Sequence, residues 1–281
     1  MDQSPPPDSK RALRAHWTNA LPGHRYGRSD SRRKYFEEIA EVRYRLEPYI
    51  PEFAGFANAQ DLRVLEIGVG TGQDFTRWAQ GGAEAVGLDL THSAAATTRE
   101  ALEVAGLLSI ARGVAVGDAE NLPFRDGVFD VVYAWGVLHH SPDMLQAIRQ
   151  SWRVLKPGGE LRFMVYHARS WTALLFWLRW GLLQGRPFTS PRQCVYHHLE
   201  STGTKAYYVP ELTRALHGAG FQYVRTTTRL SPGDLLTITP SQRYRGFVYR
   251  ATWALYPRWL IRMLGDRFGL YLMAKANKPS V

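Results

Sequence analysis

Cysteine is nearly missing from the 281 residues: Cys194 stands alone, so no internal disulfide can form, and a reducing compartment is expected. An apolar stretch is missing from the start, MDQSPPPDSKR, so no secretory signal is expected there. Long hydrophobic runs are missing too. The longest, Trp171 to Leu183, has 13 residues and carries Arg179, too short and too charged to span a bilayer. Together these absences point to the cytoplasm. Acid is scarce at both flanks of the chain. Lys10 to Arg45 holds ten Lys/Arg against four Asp/Glu, and Arg225 to Lys278 holds ten against two. Asp61 to Val165 reverses the balance, with nine basic and thirteen acidic residues. The net charge of +10 therefore sits outside the middle, where it can attract an anionic partner or keep the surface solvated. What is present is ordinary for a globular protein: 45% hydrophobic and 21% charged residues. The length suits one large domain or two small ones.

Residues 1–9 read as a disordered tail. Residues 10–60 read as an N-terminal helical cap, basic and turn-rich to residue 33, then helical with Ser31 as the expected N-cap. Tyr35, Phe36, Ile39, Val42, Leu46 and Tyr49 recur at three- and four-residue spacing and mark one apolar face. Pro48 and Pro51 are expected to end that helix. One domain is expected over 61–281, and from residue 62 the rhythm changes. Short apolar runs at 62–68, 83–90, 111–119, 129–135 and 159–166 alternate with helical segments near 73–80, 92–106 and 143–155. Such alternation implies an α/β fold of βαβ units around a parallel sheet. Pro210 to Ala219 reads as a further helix, and 221–228 and 270–276 as strands. Two inserts remain, 167–209 and 229–268.

The strongest local signal is VLEIGVGTGQD, Val64 to Asp74, where an apolar strand runs into Gly68, Gly70 and Gly72 and a helix follows. Glycines there permit positive φ and close approach of a ligand. The helix start offers N–H groups to an anionic or polar group. Asp89 ends the second run, in GLDLT, and can accept both hydrogen bonds of a ribose diol. Asp118 ends the third, in VGDAENLPF, and can accept from an adenine amino group while the Ala119 N–H donates to the ring. The spacing is GxGxG, whereas a dinucleotide fingerprint wants GxGxxG, which argues against a dehydrogenase.

The ordered set LEIGVGTG, LDL, GDAENLPF, FDVVYAWGVLHH and LKPGGEL resembles a class I S-adenosylmethionine-dependent methyltransferase of the small-molecule and quinone-biosynthesis branch. The resemblance implies a Rossmann-like, seven-stranded sheet whose last strand is antiparallel, here LYLMAKA. It implies S-adenosyl-L-methionine as cofactor. It assigns Glu66, Gly68, Gly70 and Gly72 to the methionine and ribose turn, and Asp89 to the ribose. It gives Asp118 and Ala119 to the adenine, Trp135 to the methionine moiety, and Asp74 a further polar contact.

The acceptor is less legible. His139 and His140 follow the fourth strand and are candidate bases for an acceptor proton; a structural role is the alternative. Trp171, Leu174, Leu175, Leu178, Leu182 and Leu183 can share a helix face in the first insert. They suit a lid over a hydrophobic pocket, an oligomer contact or ordinary core, or a peripheral membrane contact with Arg179 and Arg186 at the headgroups. Arg245, Arg250, Arg258 and Arg262 interleave with Phe247, Tyr249, Trp253, Tyr256 and Trp259 in the second insert, a pattern that single-stranded nucleic acid also uses. Cys194, His197 and His198 are too few for a closed zinc site, and no metal is expected. The expectation is a methyltransferase acting on a small, partly hydrophobic acceptor. An RNA- or ribosome-directed enzyme and a non-catalytic cofactor-binding protein stay open as alternatives.

Overall fold

The computed structural model describes residues 9–201, 203–237, 253 and 256–280. All of the expected disordered tail but Ser9, and most of the interleaved stretch at 244–264, fall outside the described residues. The chain divides into two compact units. The first comprises Met1–Val165, Pro210–Thr226 and Ala274–Val281; the second comprises Tyr166–Val209 and Thr227–Met273.

The first unit opens with three helices, α1 (Ser9–Asn19), α2 (Arg32–Leu46) and α3 (Ile50–Ala54). Tyr35, Phe36 and Ile39 are the buried residues of α2. Ser31 is its N-cap residue, though its side chain makes no capping bond. Pro51 does not end a helix as expected. It stands in the first turn of α3, where its missing N–H costs nothing. Then follow β1 (Arg63–Ile67), α4 (Gln73–Gln80), β2 (Glu84–Asp89), α5 (His92–Ala105), β3 (Gly113–Val116), β4 (Phe129–Trp135), α6 (Met144–Val154) and β5 (Leu155–His167). The Thr91 hydroxyl caps α5 by accepting from Ala94 N–H, and Asp143 caps α6 by accepting from Gln146 N–H. LKPGGEL is already strand from Leu155, four residues before the run expected at 159–166.

The last elements are β6 (Ala206–Tyr207), α9 (Val209–Gly218), β7 (Gln222–Arg229) and β8 (Tyr271–Asn277), with α7 (Trp171–Trp180) and α8 (Pro191–His198) before them and α10 (Arg258–Met263) preceding β8. The sheet order is β3-β2-β1-β4-β5-β8-β7, and two-residue β6 lies beside β5 as an eighth strand. β1 to β5 are parallel. β8 runs antiparallel to β5: Lys278 pairs with Gly159 at one end and Leu270 with His167 at the other. The chain moves outward from β1 through β2 to β3, then returns to β4 on the other side of β1. That reversal is the topological switch point, and its crevice lies at the carboxyl ends of β1 and β4. β4 is buried at Phe129, Val131, Val132, Tyr133 and Ala134, as a central parallel strand should be.

In the second unit a buried carboxylate joins three segments. Asp234 accepts from Thr172 N–H and Oγ1, from Ser231 N–H and Oγ, and from Leu270 N–H. Thr172 and Ala173, not the leucines, are the buried residues of α7. Gly181 ends the helix, so Leu182 and Leu183 leave the face they were expected to share.

Candidate active site

The glycine turn is built by backbone geometry. Gly68, Gly70 and Gly72 all have positive φ, at 79°, 54° and 80°. A Cβ on Gly68 would come within 2.2 Å of Val137, so only glycine lets β1 and the segment after β4 close together. Above Gly70 there is room: the nearest atoms a Cβ would meet belong to Pro22, at 3.8 Å. Three bonds tie the turn to β2 and α5. Gly68 N–H donates to Leu88 O at 2.7 Å, Gly70 N–H donates to Asp89 Oδ2 at 3.2 Å, and the Thr98 hydroxyl donates to Gly70 O at 3.2 Å. Thr71 Oγ1 donates to Pro22 O, which joins the N-terminal cap to the turn.

Asp89 is the last residue of β2. Besides Gly70, it takes Thr91 N–H and Thr91 Oγ1 on Oδ1, both at 2.9 Å. Burial raises its pKa while those donors pull it back. Glu66 lies near the end of β1 and is buried, and its Oε2 has no hydrogen-bond partner among the described residues. Burial pushes its carboxyl well above the usual range; Asp74 adds to the rise and Arg43 opposes it.

Asp74 is committed elsewhere. Its Oδ1 accepts from Arg43 Nε at 2.9 Å and Tyr44 OH at 3.0 Å, while Oδ2 accepts from Arg43 Nη2 and from Tyr133 OH at 2.8 Å. A carboxylate has about four lone-pair sites, and this network fills them. Burial opposes the Arg43 charge, but Asp74 and Glu47 outweigh it and keep the guanidinium firmly protonated. Sequence reasoning missed Arg43 and Tyr133 altogether. Their partner lies 31 and 59 residues away, and no local spacing announces it.

Asp118 and Ala119 form the turn after β3. Asp118 Oδ1 accepts from Glu120 N–H at 2.9 Å, and Oδ2 accepts from Lys10 Nζ at 2.6 Å. Lys10 pairs with Glu120 as well. Trp135 ends β4 and packs between Tyr49, at 6.0 Å between ring centroids, and Phe53, at 5.7 Å. His139 and His140 form a 3-10 turn after β4, both buried, their rings 4.1 Å apart. Trp17 of α1 lies edge-on to His140 at 4.9 Å. The structure thus gathers the glycine turn, Asp89 and Glu66 at the switch point, and gives Asp74 to an internal network.

A family model described as a methyltransferase domain matches residues 65–163. The ubiquinone biosynthesis O-methyltransferase of Ralstonia nicotianae is 34% identical over 173 residues, 57% of this chain and 67% of that protein. The chain belongs to the class I S-adenosylmethionine-dependent methyltransferases. A phosphatidylethanolamine N-methyltransferase of Cereibacter sphaeroides is 34% identical over 116 residues, 41% of this chain but only 56% of that protein. Among solved structures, an S-adenosylmethionine-dependent methyltransferase from Mesorhizobium loti superposes with a TM-score of 0.54 at 19% identity, over 82% of this chain and 97% of that one, which shows the shared fold. The methyltransferase uses S-adenosylmethionine as its cofactor. Its switch point fits that group chemically. The buried Glu66 Oε2 needs a donor, and the glycine turn presents its backbone beside it. Acidic acceptors stand near the end of β1 (Glu66), at the end of β2 (Asp89) and after β3 (Asp118). Among the described residues no helix is long and apolar enough to cross a membrane.

Proposed function

We propose that this methyltransferase, working in the cytoplasm, methylates a small, partly hydrophobic organic acceptor such as a secondary metabolite or a quinone-like compound. The observation that carries this reading is the aromatic wall of Trp135, Tyr49 and Phe53 at the end of β4, beside the turn that Gly68 shares with Val137. A flat apolar acceptor packs well against such a surface. The activities named for two relatives, ubiquinone biosynthesis O-methylation and methylation of 27-O-demethylrifamycin SV, agree with it.

The cofactor supplies an electrophilic methyl carbon on a sulfonium that departs as a neutral thioether. The protein has then to align the acceptor atom in line and exclude water. We assign Glu66 to the cofactor's amine and Asp89 to its ribose, with Gly68, Gly70 and Gly72 giving the backbone approach. Asp118 and Ala119 take the adenine, and Trp135 flanks the methionine moiety. Asp74 acts at one remove, by fixing Arg43 and Tyr133 beneath the turn. Where the acceptor is a hydroxyl, we assign His139 or His140, which follow β4, to take its proton.

Calorimetric titration tests the reading. The wild-type protein should bind S-adenosylmethionine and not NADH. Asp89→Ala should weaken that binding by about 10- to 100-fold, since hydrogen bonds to a charged group are worth about 1.5–3 kcal/mol. Unchanged affinity in the variant would overturn the ribose assignment. Tight, salt-sensitive binding of an RNA oligonucleotide would move the acceptor to nucleic acid.

A further inference from the structure

The second unit holds almost all of the chain's net charge. Residues 166–209 and 227–273 carry twelve Lys/Arg and three Asp/Glu, while the rest of the chain carries twenty-three and twenty-two. Asp234 is buried and Asp266 neutralises Arg229, and twelve basic less three acidic residues still leave an excess of nine.

The same unit leaves large apolar side chains in water. After Gly181 ends α7, Leu182 and Leu183 follow in a 3-10 turn; Leu183 is 80% exposed, and Phe188, a few residues on, is fully exposed. Arg186 stands between them in sequence. On α10, Trp259 is 69% exposed and Met263 68%, and Arg258 and Arg262 alternate with them. Each cluster pairs insertable apolar groups with guanidinium.

The occupant must want both. A second copy of the chain would bring the same positive face against itself, and like charges across an interface are costly. A nucleic acid would take the arginines and stack on Trp259, but it offers nothing to Leu182, Leu183 and Met263. An anionic bilayer takes the arginines at its phosphates and the leucine, methionine and aromatic groups at the acyl boundary. We propose that the second unit docks on an anionic lipid bilayer. Leu183 and Phe188, and Trp259 and Met263, enter the interface, while the exposed Arg186 and Arg262 meet the lipid phosphates. The proposal stands on the surface alone and does not depend on the acceptor.

The test is co-sedimentation of the full chain with vesicles of phosphatidylcholine alone and of phosphatidylcholine with about one-third phosphatidylglycerol. Binding should be at least about tenfold tighter to the anionic vesicles and should weaken as salt rises from about 50 to 500 mM. Two double variants, Leu183→Glu with Phe188→Glu, and Trp259→Glu with Met263→Glu, should keep wild-type S-adenosylmethionine affinity and melting temperature. A loss of about tenfold or more in vesicle binding in either supports the proposal. Failure of the wild-type chain to bind anionic vesicles overturns it. So does full binding in both double variants.

Discussion

Glu66 sets two requirements against each other. Its Oε2 is buried without a partner among the described residues, and its pKa is raised well above the ordinary range by burial. A carboxyl whose folded pKa exceeds its unfolded one favours the folded state most below the unfolded value. That contribution is lost as pH rises through the folded value. The ligand-free protein should therefore lose stability toward neutral and alkaline pH through this group. Glu66→Gln removes the ionisation and keeps the shape. It should raise stability by about 1–3 kcal/mol at pH 8 and flatten the pH profile, the scale of one buried unsatisfied group. It should also weaken S-adenosylmethionine binding, because the amine loses its counter-charge. Thermal melts at two pH values, with titration of the cofactor, check both halves. A variant that is less stable at pH 8 would mean that Glu66 is satisfied as an anion without ligand.

Two elements make predictions of their own, and they mark where sequence reading stops. α1 brings Lys10 onto Asp118 and Glu120, where hydrogen bonds to both acids outweigh burial and raise the ammonium pKa. Lys10 is thus a competitor for the acid assigned to adenine. Its ammonium is partly exposed, and exposed ion pairs are worth about 0.2–1 kcal/mol. Lys10→Ala should tighten S-adenosylmethionine binding by up to about fivefold. Looser binding would make Lys10 a support for the site instead. In the second unit, Asp234→Ala strands five donors from Thr172, Ser231 and Leu270. It should cost about 3–5 kcal/mol, the scale of breaking a buried charged network, measurable by denaturant melts. Asp234→Asn, which keeps an acceptor, should cost less. β1, β2 and β4 were legible because a buried parallel strand is a continuous apolar run, and α4 because a glycine turn leads straight into it. α1 was not, since SKRALRAHWTN has few apolar residues and packs on α5, far along the chain. The Arg43–Asp74–Tyr133 network was hidden for a related reason: local periodicity says which face is buried, not which polar groups meet there.

At the scale of the molecule, charge is divided between the two units. The first has twenty-three basic and twenty-two acidic residues, the second twelve and three. The residues we assign to the cofactor lie in the nearly neutral unit, and Glu66 and Asp89 are largely withdrawn from solvent. Buried interactions are screened far less than exposed ones, because the Debye length acts through the solvent. S-adenosylmethionine affinity should therefore change by less than roughly threefold between about 50 and 500 mM salt. Any interaction of the cationic unit with an anionic surface should fall steeply over the same range. Calorimetry at the two salt concentrations decides the point. A loss of cofactor affinity of about tenfold or more would place the cofactor among exposed charges, Lys10 and Asp118 foremost, and would move the energetic centre of the site from the end of β1 to the turn after β3.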